Sequence, residues 1–347
     1  MSSGACITGR RKVKPSRRTP NQPTGTATAG MQFQFLPLRF EFRAAEPLYF
    51  PPGKAGNLLR GALGKTFNRI ACVPECPSGS SLDTRPCLSR ESCLYAQVFE
   101  PVATGPGPSG LSDAPRPFVF RARRLDGRTI QPDQLFDFDL HLFSLDPDVL
   151  KYFVRAFTAL AHEGLGPQRG KAELQRVLRI AWHDLPEHIL YQESTQLTTA
   201  PVEPATIDLA PVTPAPRKIR VDFLSPTELK RNTQIVSRPE FPILFGRIRD
   251  RISTLRALYG PGPLGIDFRS IGGRAAAVRM ANCEVRRQEF ERHSSRTGQT
   301  HSIGGFVGFA EYEGEMGEFL PYLEAARWVG VGRQVVWGKG EISIQLN

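Results

Sequence analysis

At 347 residues the chain is long enough for two domains with cores of their own. Hydrophobic residues make up 40% and charged residues 23%, a globular composition. No apolar run reaches the roughly 18 residues a membrane helix needs, which excludes functions built on such helices. The formal charge is +11, and six of the cations (Arg10, Arg11, Lys12, Lys14, Arg17 and Arg18) fall in residues 1–30, which hold no acidic residue. That segment has almost nothing to bury and reads as a disordered basic tail. It is either the product of an upstream start, with Met31 the natural one, or a flexible RNA-binding arm. It lacks the apolar stretch of a secretory signal, of about 7–15 residues, and the six cysteines form no tidy framework. Both points favour the cytoplasm and reduced thiols. The body is mildly basic, which permits a polyanionic partner.

Along the chain, residues 32–43 (QFQFLPLRFEFR) alternate as a half-buried strand does. Residues 53–70 predict a helix with Leu59, Leu63, Phe67 and Ile70 on one face and Lys54, Lys65 and Arg69 on the other. Residues 71–117 are rich in Cys, Pro and Gly and read as an irregular insertion. Strands follow at 118–124 and 135–145. Asp146-Pro147 then starts a helix that Gly164 ends, and 174–182 is a strand. The order is β-α-β-β-α-β, giving an N-terminal domain over 31–200. A Pro-rich stretch, 201–216, suits a linker. The second domain, 217–347, begins with a strand at 220–223 and a helix at 242–259. A long strand-like segment at 275–291 and a strand at 303–312 come next. A short helix at 321–329 and a last strand at 335–345 repeat the order. Two tandem βαββαβ units of the ferredoxin-like type make an α+β protein, a unit that RNA-recognition modules also use. Gly304–Phe309 only loosely echoes the aromatic signature of those modules.

Residues 330–340 (GVGRQVVWGKG) hold four glycines and two cations. Glycines let backbone N–H groups approach phosphate, and Arg333 and Lys339 add charge, so Gly330, Gly332, Arg333, Gly338, Lys339 and Gly340 are candidate phosphate contacts. The loop is not a P-loop, which needs its lysine ahead of a helix. A plain helix cap followed by a bulge accounts for the spacing equally well. Cys72, Cys76, Cys87 and Cys93 could close a structural zinc site that orders the insertion; free thiols or a disulfide are the alternative.

An ordered set of segments resembles the CRISPR repeat-processing endoribonucleases of the RAMP superfamily. It comprises Val221–Lys230, Phe241–Gly260, Arg292–Gly298, Gly304–Gly308 and Gly330–Gly340, with Leu58–Gly64 and Cys93–Phe99 in the first half. The resemblance implies two ferredoxin-like domains, a CRISPR repeat RNA gripped between them, and no DNA partner. It also implies metal-independent cleavage: the 2′-hydroxyl attacks the adjacent phosphate, leaving a 2′,3′-cyclic phosphate and a 5′-hydroxyl. Such chemistry needs a base, an acid and cations on the developing charge.

Histidine often moves the proton in that family, on or near the first helix. Here that helix carries Lys54, Arg60 and Lys65 instead, with Tyr49 just before it. Of the six histidines, His301 and then His293 are the preferred proton-transfer candidates. They bracket a polar loop beside Arg292 and Arg296. Lys54 or Tyr49 could stabilise charge or position the hydroxyl. Arg60, Lys65, Arg292 and Arg296 are candidate RNA contacts, and catalysis needs no cofactor. The rival reading is a non-cleaving RNA-binding subunit of a CRISPR effector complex, and such subunits are candidate partners in either case.

Overall fold

The structure is a computed structural model and describes residues 31–72, 90–102, 114–181, 185–193, 196–197, 201–293 and 300–346. The alternating first segment forms strand β1 (Gln32–Ala44), followed by the two-residue strand β2 (Leu48–Tyr49). The amphipathic stretch forms helix α1 (Ala55–Ala71), burying Leu59, Leu63 and Phe67. Within the insertion, residues 94–99 form a short helix, α2 (Leu94–Phe99), whose Phe99 packs on Phe67 with ring centroids 5.2 Å apart. Next come β3 (Phe118–Arg121), β4 (Thr129–Ile130), β5 (Leu135–Leu142), α3 (Pro147–Glu163) and β6 (Ala172–Ile180). The Asp146 side chain caps α3, accepting from the Asp148 amide at 2.9 Å. Strands β7 (Pro186–Gln192) and β8 (Gln196–Leu197) extend the sheet.

The Pro-rich stretch is not a plain linker. It contains β9 (Ala205–Asp208), which pairs antiparallel with the start of β1, Phe33 opposite Ile207. The first sheet therefore closes beyond residue 200.

The second half holds β10 (Lys218–Thr227), the small hairpin β11 (Lys230–Arg231) with β12 (Gln234–Ile235), and α4 (Phe241–Tyr259). A helix for which no element was expected, α5 (Phe268–Ala275), capped by Asp267, comes next, and β13 (Arg279–Gln288) follows within the strand-like segment at 275–291. Strands β14 (Glu291–His293) and β15 (Thr300–Ser302) form a two-stranded hairpin before β16 (Gly305–Glu313). Helix α6 (Leu320–Val329) and strand β17 (Ile342–Leu346) complete the chain. The last strand begins later than its composition suggests because residues 335–337 make a tight 3-10 turn.

The first sheet orders its main strands β3-β5-β1-β6 and the second β13-β16-β10-β17. In each half the second and third strands of the unit precede the first and fourth, so the two halves repeat one topology. The tandem ferredoxin-like α+β fold is thus present.

The halves share a core. Leu36, Leu38, Phe40 and Phe42 of β1 face the first domain's own helices. Phe33 and Phe35 face the other way, into the core of the second domain. The ring of Trp328, on α6, sits 5.0 Å from Phe35 and 4.9 Å from His141.

Candidate nucleic-acid interface and cleavage site

The glycine-rich loop begins where α6 ends. Gly330 (φ +73°), Gly332 (φ +84°), Gly338 (φ +79°) and Gly340 (φ +66°) are all left-handed, as is Gln334. A Cβ at Gly340 would run into the Val331 carbonyl, and one at Gly332 into the Glu228 carbonyl. These two positions therefore require glycine for space as well as for backbone angle.

The loop docks where β10 departs from regular pairing with β16, between Phe223 and Thr227. Pro226 has no N–H for a ladder. Its carbonyl instead accepts from the Gly340 amide at 3.1 Å, and the Glu228 carbonyl accepts from the Arg333 amide at 3.0 Å. The amides of Val331, Trp337 and Gly338 also donate to the loop's own carbonyls. Much of the amide array that the sequence offered to a phosphate is thus spent on folding the loop. The Arg333 guanidinium pairs with Glu228 yet stays half exposed, so it can still meet an anion.

Lys339 behaves otherwise. It is 3% exposed, and its ammonium donates to the Gly53 carbonyl at 2.9 Å. It lies 4.5 Å from the ring centroid of Phe290, a cation–π contact. Burial pushes its pKa down to about 8, and the nearby Asp126 carboxylate opposes that shift. Asp126 in turn accepts from the Ala55 amide at 2.9 Å, capping α1 from another element. Burial raises the Asp126 pKa, while the amide bond and Lys339 lower it. These groups line a cleft of about 240 Å³ between the two halves, with Arg123, Gln288 and Trp337 on its walls. Lys339 is thus placed as a buried strut where the sequence suggested an exposed phosphate contact.

Lys54 is the half-buried N-cap of α1, next to this cleft. Tyr49 is half buried and lies in β2, paired with β4 opposite Thr129. Arg60 stacks over Phe99 at 5.6 Å. Lys65 is exposed on α1. At about 1.5 Å of rise per residue it stands roughly 16 Å along the axis from Lys54, too far to share one phosphate.

The hairpin brings Arg292 opposite His301 and His293 opposite Thr300. The two histidines occupy successive positions in the register of the hairpin. Arg296 lies outside the described residues. So do Cys76 and Cys87, whereas Cys72 and Cys93 lie at the end of α1 and the start of α2, where the Cys72 sulfur accepts from the Asn68 side-chain amide at 3.3 Å. Among the described residues no cluster of His, Cys, Asp and Glu could hold a metal ion.

His141 is buried among Phe35, Trp328 and Arg121, and its Nδ1 lies 2.9 Å from the Trp328 carbonyl. A carbonyl only accepts, so Nδ1 carries a proton, and burial, which pulls the pKa down to about 3, keeps the ring neutral. His162 and His188 are exposed on α3 and β7, and His183 lies outside the described residues.

Several cations on the sheet strands are held in ion pairs. Arg39 and Arg124 meet Asp139 at 2.8 and 2.7 Å, and Arg220 covers Phe309 at 3.6 Å while bonding Asp222. Phe306 is buried against Phe223, so the loose echo of an RNA-recognition signature builds no aromatic platform.

Sequence reasoning missed Asp126, Phe290 and Arg121. Asp126-Gly127 reads only as a turn, and nothing local marks a residue that caps a helix 71 positions away.

Comparison with known proteins falls on both halves. Residues 33–203 match a family model described as an N-terminal domain, and residues 221–342 match that of the CRISPR-associated endoribonuclease Cas6. No curated protein matches the chain. Among solved structures, a Cas6 product complex aligns with a TM-score of 0.51 at 17% identity, over 90% of this chain and 100% of that one. A Thermus thermophilus Cas6 aligns with a TM-score of 0.48 at 16% identity, over 90% and 99%. A partial Cas6-RT-Cas1–Cas2 complex aligns with a TM-score of 0.49 at 11% identity, over 91% of this chain and 46% of that one. At 17% identity the first of these speaks for the fold alone. The family match covers the glycine-rich loop and the strands that hold it, so residues 221–342 of this chain are similar to the CRISPR-associated endoribonuclease Cas6 family.

Proposed function

We propose that the chain binds CRISPR repeat RNA in the cytoplasm and cuts the precursor transcript into guide RNAs, which pass to subunits of a CRISPR effector complex. The observation that carries this reading is the family match over residues 221–342, which takes in the glycine-rich loop and the end of β10 on which it docks. The half-exposed Arg333 and the N-terminal end of α1 offer positive charge at one seam. Catalysis proceeds without a metal. A base removes the 2′-hydroxyl proton, the 2′-oxygen bonds to phosphorus, and the bond to the 5′-oxygen breaks as an acid protonates it. His301, His293, Lys54 and Tyr49 are the groups proposed to serve these steps.

Single-turnover cleavage of the cognate repeat in excess EDTA tests the reading. The parent should cut at one site and leave a 2′,3′-cyclic phosphate. At least one of His301→Ala, His293→Ala, Lys54→Ala and Tyr49→Phe should slow cutting by about 10²–10⁴-fold with little change in affinity. Arg333→Ala should instead weaken binding to every RNA and reduce the salt slope by about one. Tight binding with no cleavage would favour the non-cleaving subunit, and cleavage abolished by EDTA would refute the metal-free route.

A further inference from the structure

Lys339 has no role in the sequence pattern beyond a phosphate contact, and the structure removes it from solvent. Burying an ammonium is costly unless its surroundings compensate. Three elements do so here. The Gly53 carbonyl at the entry to α1 accepts a hydrogen bond from it, Phe290 at the root of the β14–β15 hairpin offers a ring face, and Asp126 supplies opposite charge. The fit around this point is tight. A Cβ on Gly53 would strike the Phe290 ring, and one on Gly56 would come 2.8 Å from the Trp337 carbonyl. Gly338 and Gly56 thus bring loop and helix together backbone to backbone. A methionine of similar length could fill the space but would satisfy none of these partners.

We propose that Lys339 is a positioning residue of the cleavage site. Its ammonium joins the glycine-rich loop to the N-terminal end of α1 and to the root of the hairpin bearing His293 and His301. Candidate proton-transfer groups from both domains then keep one fixed relation to the phosphate that the loop presents. The inference rests on the endoribonuclease reading for its effect on rate, and on geometry alone for its effect on the fold.

The test compares the parent with Lys339→Met and Phe290→Leu in the full chain. Hydrogen exchange at the amides of residues 55–58 should quicken in Lys339→Met by about tenfold or more. Cleavage at saturating repeat RNA should fall by about 10²-fold, the cost of a misplacement of about 1 Å. The dissociation constant should change less than about threefold, with the salt slope unmoved. A weakened affinity with a salt slope smaller by about one, and unchanged exchange, would make Lys339 a phosphate contact and overturn the proposal. Unchanged rate and exchange would overturn it equally. If Lys339→Met fails to fold, Phe290→Leu decides, since it leaves the ammonium and should show the same changes in smaller degree; parent-like behaviour refutes the joint. If the parent itself does not cut, the endoribonuclease reading falls, and the exchange measurement still decides whether the joint exists.

Discussion

His141 shows how much a single titratable residue can matter away from any chemistry. Burial, with Arg121 adding to it, drives its pKa from the ordinary 6.5 down to about 3. The folded state therefore refuses a proton that the unfolded chain accepts below about pH 6.5, so stability is present above that pH and is lost as pH falls towards 3. From about pH 7.5 to pH 5 the loss from this one group is about 2 kcal/mol. His141→Asn can keep a donor to the Trp328 carbonyl without titrating. Urea unfolding at the two pH values should show the parent losing about 2 kcal/mol more than the variant. Equal losses would mean the imidazole is not held neutral. Its carbonyl partner lies 187 residues away, a contact that no local pattern in the sequence encodes.

Helices α1 and α2 argue the case of the insertion. Cys72 follows the last residue of α1 and Cys93 precedes the first of α2, and Phe99 of α2 packs on Phe67 of α1. We propose that zinc bound by Cys72, Cys76, Cys87 and Cys93 clips the intervening segment to these two helix ends. Metal analysis should then find about one zinc per chain, and Cys76→Ser or Cys87→Ser should lose it. A folded, metal-free protein with four reactive thiols would refute the clip. The helices α1, α3, α4 and α6 were legible from apolar periodicity and from Pro or Asp at their starts. Helices α2 and α5 were not, being 6 and 8 residues long, too short for a periodic signal.

The two halves are joined through charge as well as through the shared core. Arg121, on β3 of the first domain, is buried, and its guanidinium donates to the carbonyls of Arg327 and Trp328 at 3.2 and 3.3 Å. Arg251 of α4 donates to the Val329 carbonyl at 2.8 Å. Cations from both halves thus meet the unsatisfied carbonyls at the C-terminal end of α6, where the helix dipole favours them. Arg121→Met keeps the stem and removes the donor. Hydrogen bonds to charged groups contribute about 1.5–3 kcal/mol, so the variant should unfold at lower denaturant by a comparable amount. Its transitions by tryptophan fluorescence and by circular dichroism should separate, because the second half loosens first. Coincident, parent-like transitions would show that the apolar core alone couples the halves.

Taken alone, the order of alternating and helical periodicities was enough for the tandem β-α-β-β-α-β plan, and the ordered motifs were enough for the family resemblance. Both are local properties: a period of two or of 3.6 shows in any window of the chain. Tertiary structure alone decided which face of β1 meets which domain. Phe33 and Phe35 are out of phase with Phe40 and Phe42, and only the docked second half explains their burial. It alone also separated the loop's two cations. Arg333 and Lys339 look alike in a glycine-rich run, yet one pairs at the surface with Glu228 and the other is buried against Gly53 and Phe290. The difference comes from partners 105 and 286 residues distant, the second across the domain boundary, and no local pattern encodes either contact.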